Sequence, residues 1–335
     1  MSIRENALRA LNHQQPDKVP YDILFTKKAH AKMVEYYGDE DFVSKLGNCL
    51  VWYKPTPGGV PYRHTGNDIW VDEFGCQWDR SVDKDIGWVC NELVSPENIN
   101  EFEFPDPQDP TRYEPINGII QANRDKLIVS SIGFSLYERA WILAGMENVL
   151  MYLISNKDFM HTLFDKILEF NLGVIEKACA YDIDVFRIGD DWGQQYGLIM
   201  GPDLWREFIK PRIKQMYQLV KSKGKFVMLH SCGKLDEIFP DLIECGLDIF
   251  NPFQPEVTDV FETKKKYGDK LSFYGGISTQ KTLPFGTVEQ VTDEVKRLID
   301  IVGENGGYIA SPAHDIPGDA KPENMAAMIE VLQNQ

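Results

Sequence analysis

The chain is poor in the features that announce a disulfide scaffold, a nucleic-acid binder or a membrane protein. Its six cysteines, at positions 49, 76, 90, 179, 232 and 245, include no Cys-x-x-Cys pair among 335 residues. That wide spacing excludes a disulfide framework and points to a reduced, cytosolic protein. Basic residues number 35 against 51 acidic ones, a net charge of −16, which argues against a nucleic-acid partner and against an anionic membrane surface. No apolar run approaches the roughly 18 residues needed to cross a bilayer. The opening Met1-Ser2-Ile3-Arg4-Glu5-Asn6 is charged at once, so no signal peptide is expected. No internal repeat stands out, and no Gly-x-Gly-x-x-Gly follows a strand-like run, which removes the usual mark of a dinucleotide-binding sheet.

What is present is a large apolar fraction, 43%, enough for a sizeable core, and a regular alternation. From about residue 127 onward, short apolar runs (Leu127–Ile132, Val185–Ile188, Phe226–Leu229, Leu247–Phe250, Leu271–Tyr274, Tyr308–Ala310) alternate with helical stretches. Leu163, Ile167, Phe170 and Val174 repeat at helical spacing. Thr287-Val288-Glu289-Gln290 is a capping box opening a helix that ends near Gly303, and Pro322 opens a last one. Such alternation implies a parallel sheet. Polar or small residues close one strand after another: Asp190-Asp191, His230 and Cys232, Asn251 and Gln254, Gly275-Gly276, His314-Asp315. Chemistry gathered at successive strand C-termini predicts a (β/α)8 TIM barrel, whose active site occupies that face. We expect one domain over 1–335, with 116–335 as the regular barrel portion. Residues 1–115 are expected as an N-terminal irregular and helical extension over the barrel mouth, a plain cap on the bottom being the alternative. Within it, Ile3–Leu11 reads as a helix, Pro20–Phe25 as a strand and Ile69–Gly75 as part of a hairpin.

His230-Ser231-Cys232-Gly233 ends the apolar run Phe226–Leu229. Side chains at i and i+2 of a strand point the same way, so an imidazole nitrogen and a sulfur face one point, a donor pair suited to zinc. Composition alone would produce a His-x-Cys about 0.1 times in such a chain, so position carries the reading. A catalytic zinc takes three protein ligands and keeps one place open. His314, where the chain leaves the last strand, is the best third ligand, with a histidine that only hydrogen-bonds as the alternative. Cys49, Cys179 and Cys245 read as core residues. Asp190 and Asp191 are candidates for the catalytic role, orienting a substrate or ligand or acting as a base, against a helix N-cap with a solvated neighbour. Trp192, Phe134, Tyr137, Asn251 and Gln254 are candidate substrate-binding residues, and Glu256 a supplementary oxygen ligand.

Several of these segments resemble the uroporphyrinogen decarboxylase superfamily. They are Arg4-Glu5-Asn6 through Pro16-Asp17-Lys18-Val19-Pro20, Asp72-Glu73-Phe74-Gly75, Gly189-Asp190-Asp191-Trp192-Gly193, His230-Ser231-Cys232-Gly233, Asn251-Pro252-Phe253-Gln254, Gly275-Gly276-Ile277 and Pro322-Glu323-Asn324. The resemblance implies a (β/α)8 barrel with its site at the strand C-termini. The family's decarboxylases clamp their substrate's propionates with arginines just after the first strand, where this chain has Thr26-Lys27-Lys28-Ala29-His30. Its other branch resembles zinc methyltransferases that exchange methyl groups with corrinoid proteins, through a His-x-Cys pair and a distant third ligand, usually cysteine. His230 and Cys232 match the pair, and the third place falls on His314, a departure from that pattern. Exchanging a thiolate for neutral imidazole makes the ion a better Lewis acid and a bound thiolate a poorer nucleophile.

The resemblance therefore implies a zinc-dependent methyltransferase. Zn2+ would be held by His230, Cys232 and His314, and a corrinoid (methylcobalamin) would arrive on a separate partner protein. The small molecule would be a methoxy-type donor or a thiol acceptor, the donor role being slightly favoured, and Gly275 and Gly276 would leave room for the corrinoid or the substrate. Two rivals remain: a metal-free decarboxylase with an arginine-rich pocket, and a non-catalytic barrel that binds a ligand.

Overall fold

A computed structural model describes residues 1–335. All six strands expected from residue 127 onward form, each in parallel with its neighbours, in a curled sheet of seven ordered Leu50–Tyr53, Leu127–Ile132, Val185–Gly189, Phe226–His230, Ile249–Phe253, Ser272–Ile277 and Tyr308–Pro312. Spatial and sequence order coincide, and the intervening chain carries helices across the outer face, as parallel pairing requires. The seventh strand, Leu50–Tyr53, comes from the stretch expected to be irregular. It pairs with Leu127–Ser130 along its whole length. Residue 115 is therefore not a structural boundary, because the first hundred residues supply part of the sheet.

Where eight strands were expected, the continuous ladder has seven. Between the last strand and the first lies Pro20–Phe25, joined by single bridges, Tyr21 to Ala310 and Phe25 to Ile316. On one side Ala310 N donates to Pro20 O (2.8 Å) and Asp22 N to Ala310 O (3.1 Å). On the other, Cys49 N donates to Tyr21 O (2.9 Å) and Ile23 N to Asn48 Oδ1 (3.1 Å). Pro20 has no N–H to give, and Asn48 takes a bond with its side chain that a ladder would take with backbone.

The N-terminal segment divides between the two ends of the sheet. Helix Ile3–Leu11, opened by a Ser2–Glu5 capping box, seals the end where the strands begin. Its Ala7 and Leu11 pack into one apolar cluster with Leu50, Leu127, Val185, Ile249 and Ile309. Arg4 fixes it there by a two-pronged pair with Asp184, 2.6 Å on each prong. A four-stranded antiparallel sheet (Tyr62–Gly66, Ile69–Asp72, Gln77–Asp79, Trp88–Val89) leans over the opposite end instead. The Asp72-Glu73-Phe74-Gly75 segment ties it down: Asp72 pairs with Arg139 at 2.8 Å and Glu73 with Arg112. So the mouth and bottom placements both occur, in different parts of the segment.

The larger apolar cluster lies between the sheet's outer face and the helices. Helix Lys157–Ala178 presents Leu163, Ile167, Phe170 and Val174 to it, at the spacing read from sequence. Each fully buried side chain of this size contributes about 1.5–3 kcal/mol. Cys49, Cys179 and Cys245 are buried there or in the inner cluster. No helix is long and apolar enough to cross a membrane.

Candidate metal and substrate site

Strand Phe226–His230 alternates as the sheet demands. Val227 and Leu229 pack outward with the helices, while Phe226 and Met228 join the interior cluster. His230 shares their parity and so projects inward at the strand's end. Beyond it the chain is held in a tight approach. Gly233 has φ of +86°, and a Cβ there would stand 2.3 Å from the backbone carbon of Gly193; the reciprocal Cβ on Gly193 would meet Cys232 O at 2.6 Å. Only two glycines allow this contact, which Lys234 N closes by donating to Gln194 O (2.9 Å). The contact holds Cys232 next to His230.

His230, Cys232 and His314 each present a ligand atom, all within 4.8 Å of one another. Cys232 Sγ lies 3.6 Å from His230 Nε2, and a tetrahedral zinc with ordinary bond lengths separates sulfur and nitrogen ligands by about 3.6 Å. The His230 and His314 rings face each other edge to face with centroids 5.6 Å apart. His230 Nδ1 lies 2.6 Å from Asn251 Oδ1, which holds the proton on Nδ1 and leaves Nε2 free to ligate. Burial, with Arg187 and His314 nearby, keeps the imidazole well below its usual pKa and thus neutral. Burial, with Asp191 adding to it, raises the Cys232 thiol. The donor set, its spacing and its supporting partners fit zinc.

His230 and His314 stand in the wall of a cavity of about 550 Å3 at the C-terminal ends of the strands, with Cys232 behind them outside its lining. Of the expected site residues, the cavity is lined by Phe134, Asp191, His230, Asn251 and His314. Asp191 accepts from Cys232 N (2.8 Å) and stands 4.0 Å from His230 Nε2. Asn251 is present as the orienter of His230, also donating to Tyr274 O at 3.2 Å.

The remaining expected residues stand outside the cavity lining. Asp190 is fully buried and takes no place in the cavity. Its oxygens accept from Leu136 N (3.1 Å), Tyr137 N (2.9 Å), Glu138 N (2.8 Å) and Trp192 Nε1 (2.5 Å). It caps helix Tyr137–Ala144 from a neighbouring strand end. Burial pushes its pKa up to about 6, still ionised at neutral pH, as an oxygen pair that only accepts must be. Trp192 is buried edge to face against Trp205 at 5.4 Å, and Tyr137 is wholly buried. Gln254 braces the cysteine loop through Gly233 N (3.4 Å). Gly275 allows the backbone of Phe253 to approach, and Gly276 accommodates Tyr308 Oη and Leu298; neither lines the cavity. Glu256 accepts from Ser278 Oγ and is absent from the ligand cluster.

Several cavity residues escaped the sequence reading: Trp52, Lys54, Glu138, Arg187 and Tyr274. One signal was available. Arg187 interrupts the otherwise apolar Val185–Ile188, and a charge at an inward position of a buried strand implies something for it to meet. Burial and the neighbouring Asp191 and Asp190 raise the carboxyl of Glu138 well above the usual range.

A parallel sheet with its polar cavity at the strand C-termini places the protein among the α/β folds of barrel-like architecture. A model of the family Uroporphyrinogen decarboxylase (URO-D) matches residues 69–335, and the chain belongs to that family. It is similar to the methylcobamide:CoM methyltransferase MtaA of Methanosarcina barkeri, 29% identical over 204 residues that cover 56% of each chain. It is also similar to a uroporphyrinogen decarboxylase of Chlorobium limicola, 25% identical over 179 residues covering 52% of this chain and 49% of that one. The chain thus spans about half the length of the curated relatives it matches. A solved methyltransferase from Methanosarcina mazei superposes with a TM-score of 0.75 at 19% identity, covering 99% of this chain and 98% of the other, a likeness of fold.

Proposed function

We propose that the protein is a zinc-dependent methyltransferase that moves a methyl group between a small molecule and a corrinoid carried on a partner protein. The observation that carries this reading is the convergence of His230, Cys232 and His314, two of which, His230 and His314, line a substrate-sized cavity. In this reading Pro20–Phe25 acts as the eighth stave of the barrel and the whole chain as one domain. The family's methyltransferase members support the reading, although the third ligand here is a histidine. Zinc held there would supply Lewis acidity, polarising a methoxy oxygen or lowering the proton affinity of a thiol.

The chain's own residues do the rest. Asn251 fixes the tautomer of His230, and Asp191 holds the cysteine loop through the Cys232 amide. Burial with Asp191 and Asp190 nearby raises the carboxyl of Glu138, which favours its protonated form and makes it the candidate proton donor to a leaving oxygen. One thiolate with two imidazoles leaves a divalent ion with net positive charge, which favours activation of a methyl donor over enrichment of a bound thiolate.

Elemental analysis of the purified protein tests the site without knowledge of the substrate. We expect about one zinc per chain in the wild type and its loss in His230→Ala and Cys232→Ala. A Cys232→Ala protein that keeps the full complement would remove the basis of the reading. A second reading, metal-free decarboxylation, is favoured by Lys54, Arg80 and Arg187 in the cavity, which suit a carboxylated substrate. It requires that the wild type bind no stoichiometric zinc.

A further inference from the structure

We propose that Phe134 sets the length of substrate that the cavity accepts: its ring closes off a side chamber and restricts the small molecule to compact compounds. The proposal deepens the methyl-transfer reading and rests on it only for the anchoring of one end of the substrate at the metal group.

Two hollows meet at this ring. The main cavity has His230 and His314 in its wall. A side chamber of about 60 Å3 lies between the strand ends and the N-terminal segment, with Pro55, Pro61, Phe170 and Val174 in its lining. Lys54, Tyr62, Ser131, Gly133 and Phe134 belong to the walls of both. Gly133 has no side chain, Ser131 a short buried one, and the lysine a flexible one. The two rings therefore make the fixed part of the partition.

The backbone at Phe134 is held at φ of +53°, where a bulky side chain is rarely found. Its neighbours on both sides force this turn. A Cβ on Gly189 would stand 3.4 Å from Gly133 Cα, so the chain before Phe134 touches the next strand. After it, Ser135 N donates to Gly189 O at 2.9 Å, and Ser135 O accepts from Asn171 Nδ2 at 2.9 Å. Glycine would make the same turn without strain. A phenylalanine kept in such a place points to a use for its ring.

The ring is also braced. It lies against Trp78 with centroids 5.4 Å apart and 31° between the planes. Trp78 is buried, donates from Nε1 to Asp72 Oδ2 at 3.4 Å, and meets Tyr62 edge to face at 5.7 Å. The Arg80 guanidinium covers Tyr62 at 4.2 Å. Phe134 cannot swing aside without leaving a fixed aromatic wall.

The direction of the limit follows from the strands. His230 is the register partner of Gly189. Ile132 is the partner of Ile188, which puts Gly133 beside Gly189. Two strand spacings of about 4.8 Å make the span from His230 to this strand end about 10 Å. A substrate anchored at the metal group and crossing the two glycines meets the Phe134 ring there. Without the ring it would run on into the side chamber.

Calorimetric titration of the full-length protein tests this with two series of rising chain length. The zinc-loaded protein receives mercaptoethanol, mercaptobutanol, mercaptohexanol and mercaptooctanol, and the zinc-free protein the matching n-alcohols. In the wild type, affinity should stop rising before the octyl member. In Phe134→Gly, whose backbone keeps the turn without strain, the octyl-to-butyl affinity ratio should be about 30-fold larger than in the wild type, as expected for methylene groups newly buried. Phe134→Leu should fall between the two.

A folded Phe134→Gly whose ratio matches the wild type in both series would overturn the proposal. A larger ratio confined to the zinc-loaded series would support both the limit and the anchoring at the metal. A larger ratio in both series, with thiols binding no better than alcohols, would keep the limit and sink the zinc reading. Tight thiol binding with an unchanged ratio would sink the limit alone.

Discussion

Replacing Asp190 by alanine separates a carboxylate that positions the site from one that reacts in it. The substitution strands four donors at a buried point: the amides of Leu136, Tyr137 and Glu138 and the indole N–H of Trp192. Each buried donor left unpaired costs about 1–3 kcal/mol, roughly 8 kcal/mol for the four. Against this, the wild type keeps a carboxyl ionised although burial has raised it from 3.8 to about 6, so losing the charge returns roughly 3 kcal/mol. Water entering the vacated space offsets a little more, leaving a net destabilisation of about 4 kcal/mol. For a chain of this size that lowers the melting temperature by about 6 °C.

The assay is thermal unfolding followed by circular dichroism at pH 7, with zinc content measured on the same samples. Asp191→Ala is the control. Asp191 lines the cavity and accepts only the Cys232 amide, so its loss should shift melting by less than about 2 °C while weakening zinc about tenfold. An Asp190→Ala protein that melts with the wild type but has lost its activity would refute the positioning role.

Three further outcomes follow from the same geometry. Asn251→Leu frees the His230 ring and should weaken zinc about 10- to 100-fold in a competition titration with a chromogenic chelator; unchanged affinity would show that the tautomer is fixed otherwise. Gly233→Ala forces a Cβ to within 2.3 Å of the Gly193 backbone at φ of +86°, so the cysteine loop must move and zinc occupancy should fall; a fully loaded variant would contradict the close-approach account. Burial raises Asp22 to about 6, so the folded state holds this proton more tightly than the unfolded chain. The stabilisation it contributes is present below about pH 4 and lost as pH rises through 6, roughly 3 kcal/mol in all. Urea unfolding should therefore show Asp22→Asn gaining about 2–3 kcal/mol on the wild type between pH 4 and pH 7, and parallel pH profiles would rule this out.

Local pattern carries most of the strands and helices and the His230–Cys232 half of the candidate metal site. Six of the seven parallel strands, the helices around 157–178 and 288–297 and the His230–Cys232 pair follow from alternation, helical spacing and capping. These are properties of neighbouring residues, and a strand's side-chain parity is set before any tertiary contact forms. Leu50–Tyr53 escaped notice because four residues are too few for a period to declare itself amid prolines and glycines. Asp190 and Asp191 adjoin in sequence, yet one is buried beneath a helix end and the other faces the cavity. Nothing in the chain's order distinguishes them.

Chemistry at strand ends, and hence the face on which to look for a site, was determined by the sequence itself. Tertiary structure decided the rest. It brought His314 to His230 across the sheet and gave Asn251 to the imidazole. It set Asp22 under Trp52 and Tyr274, and put the Phe134 ring against Trp78 between two hollows. Those relations join residues tens to hundreds of positions apart. They depend on which strands lie side by side and how the sheet curls, so packing rather than local propensity places the charges.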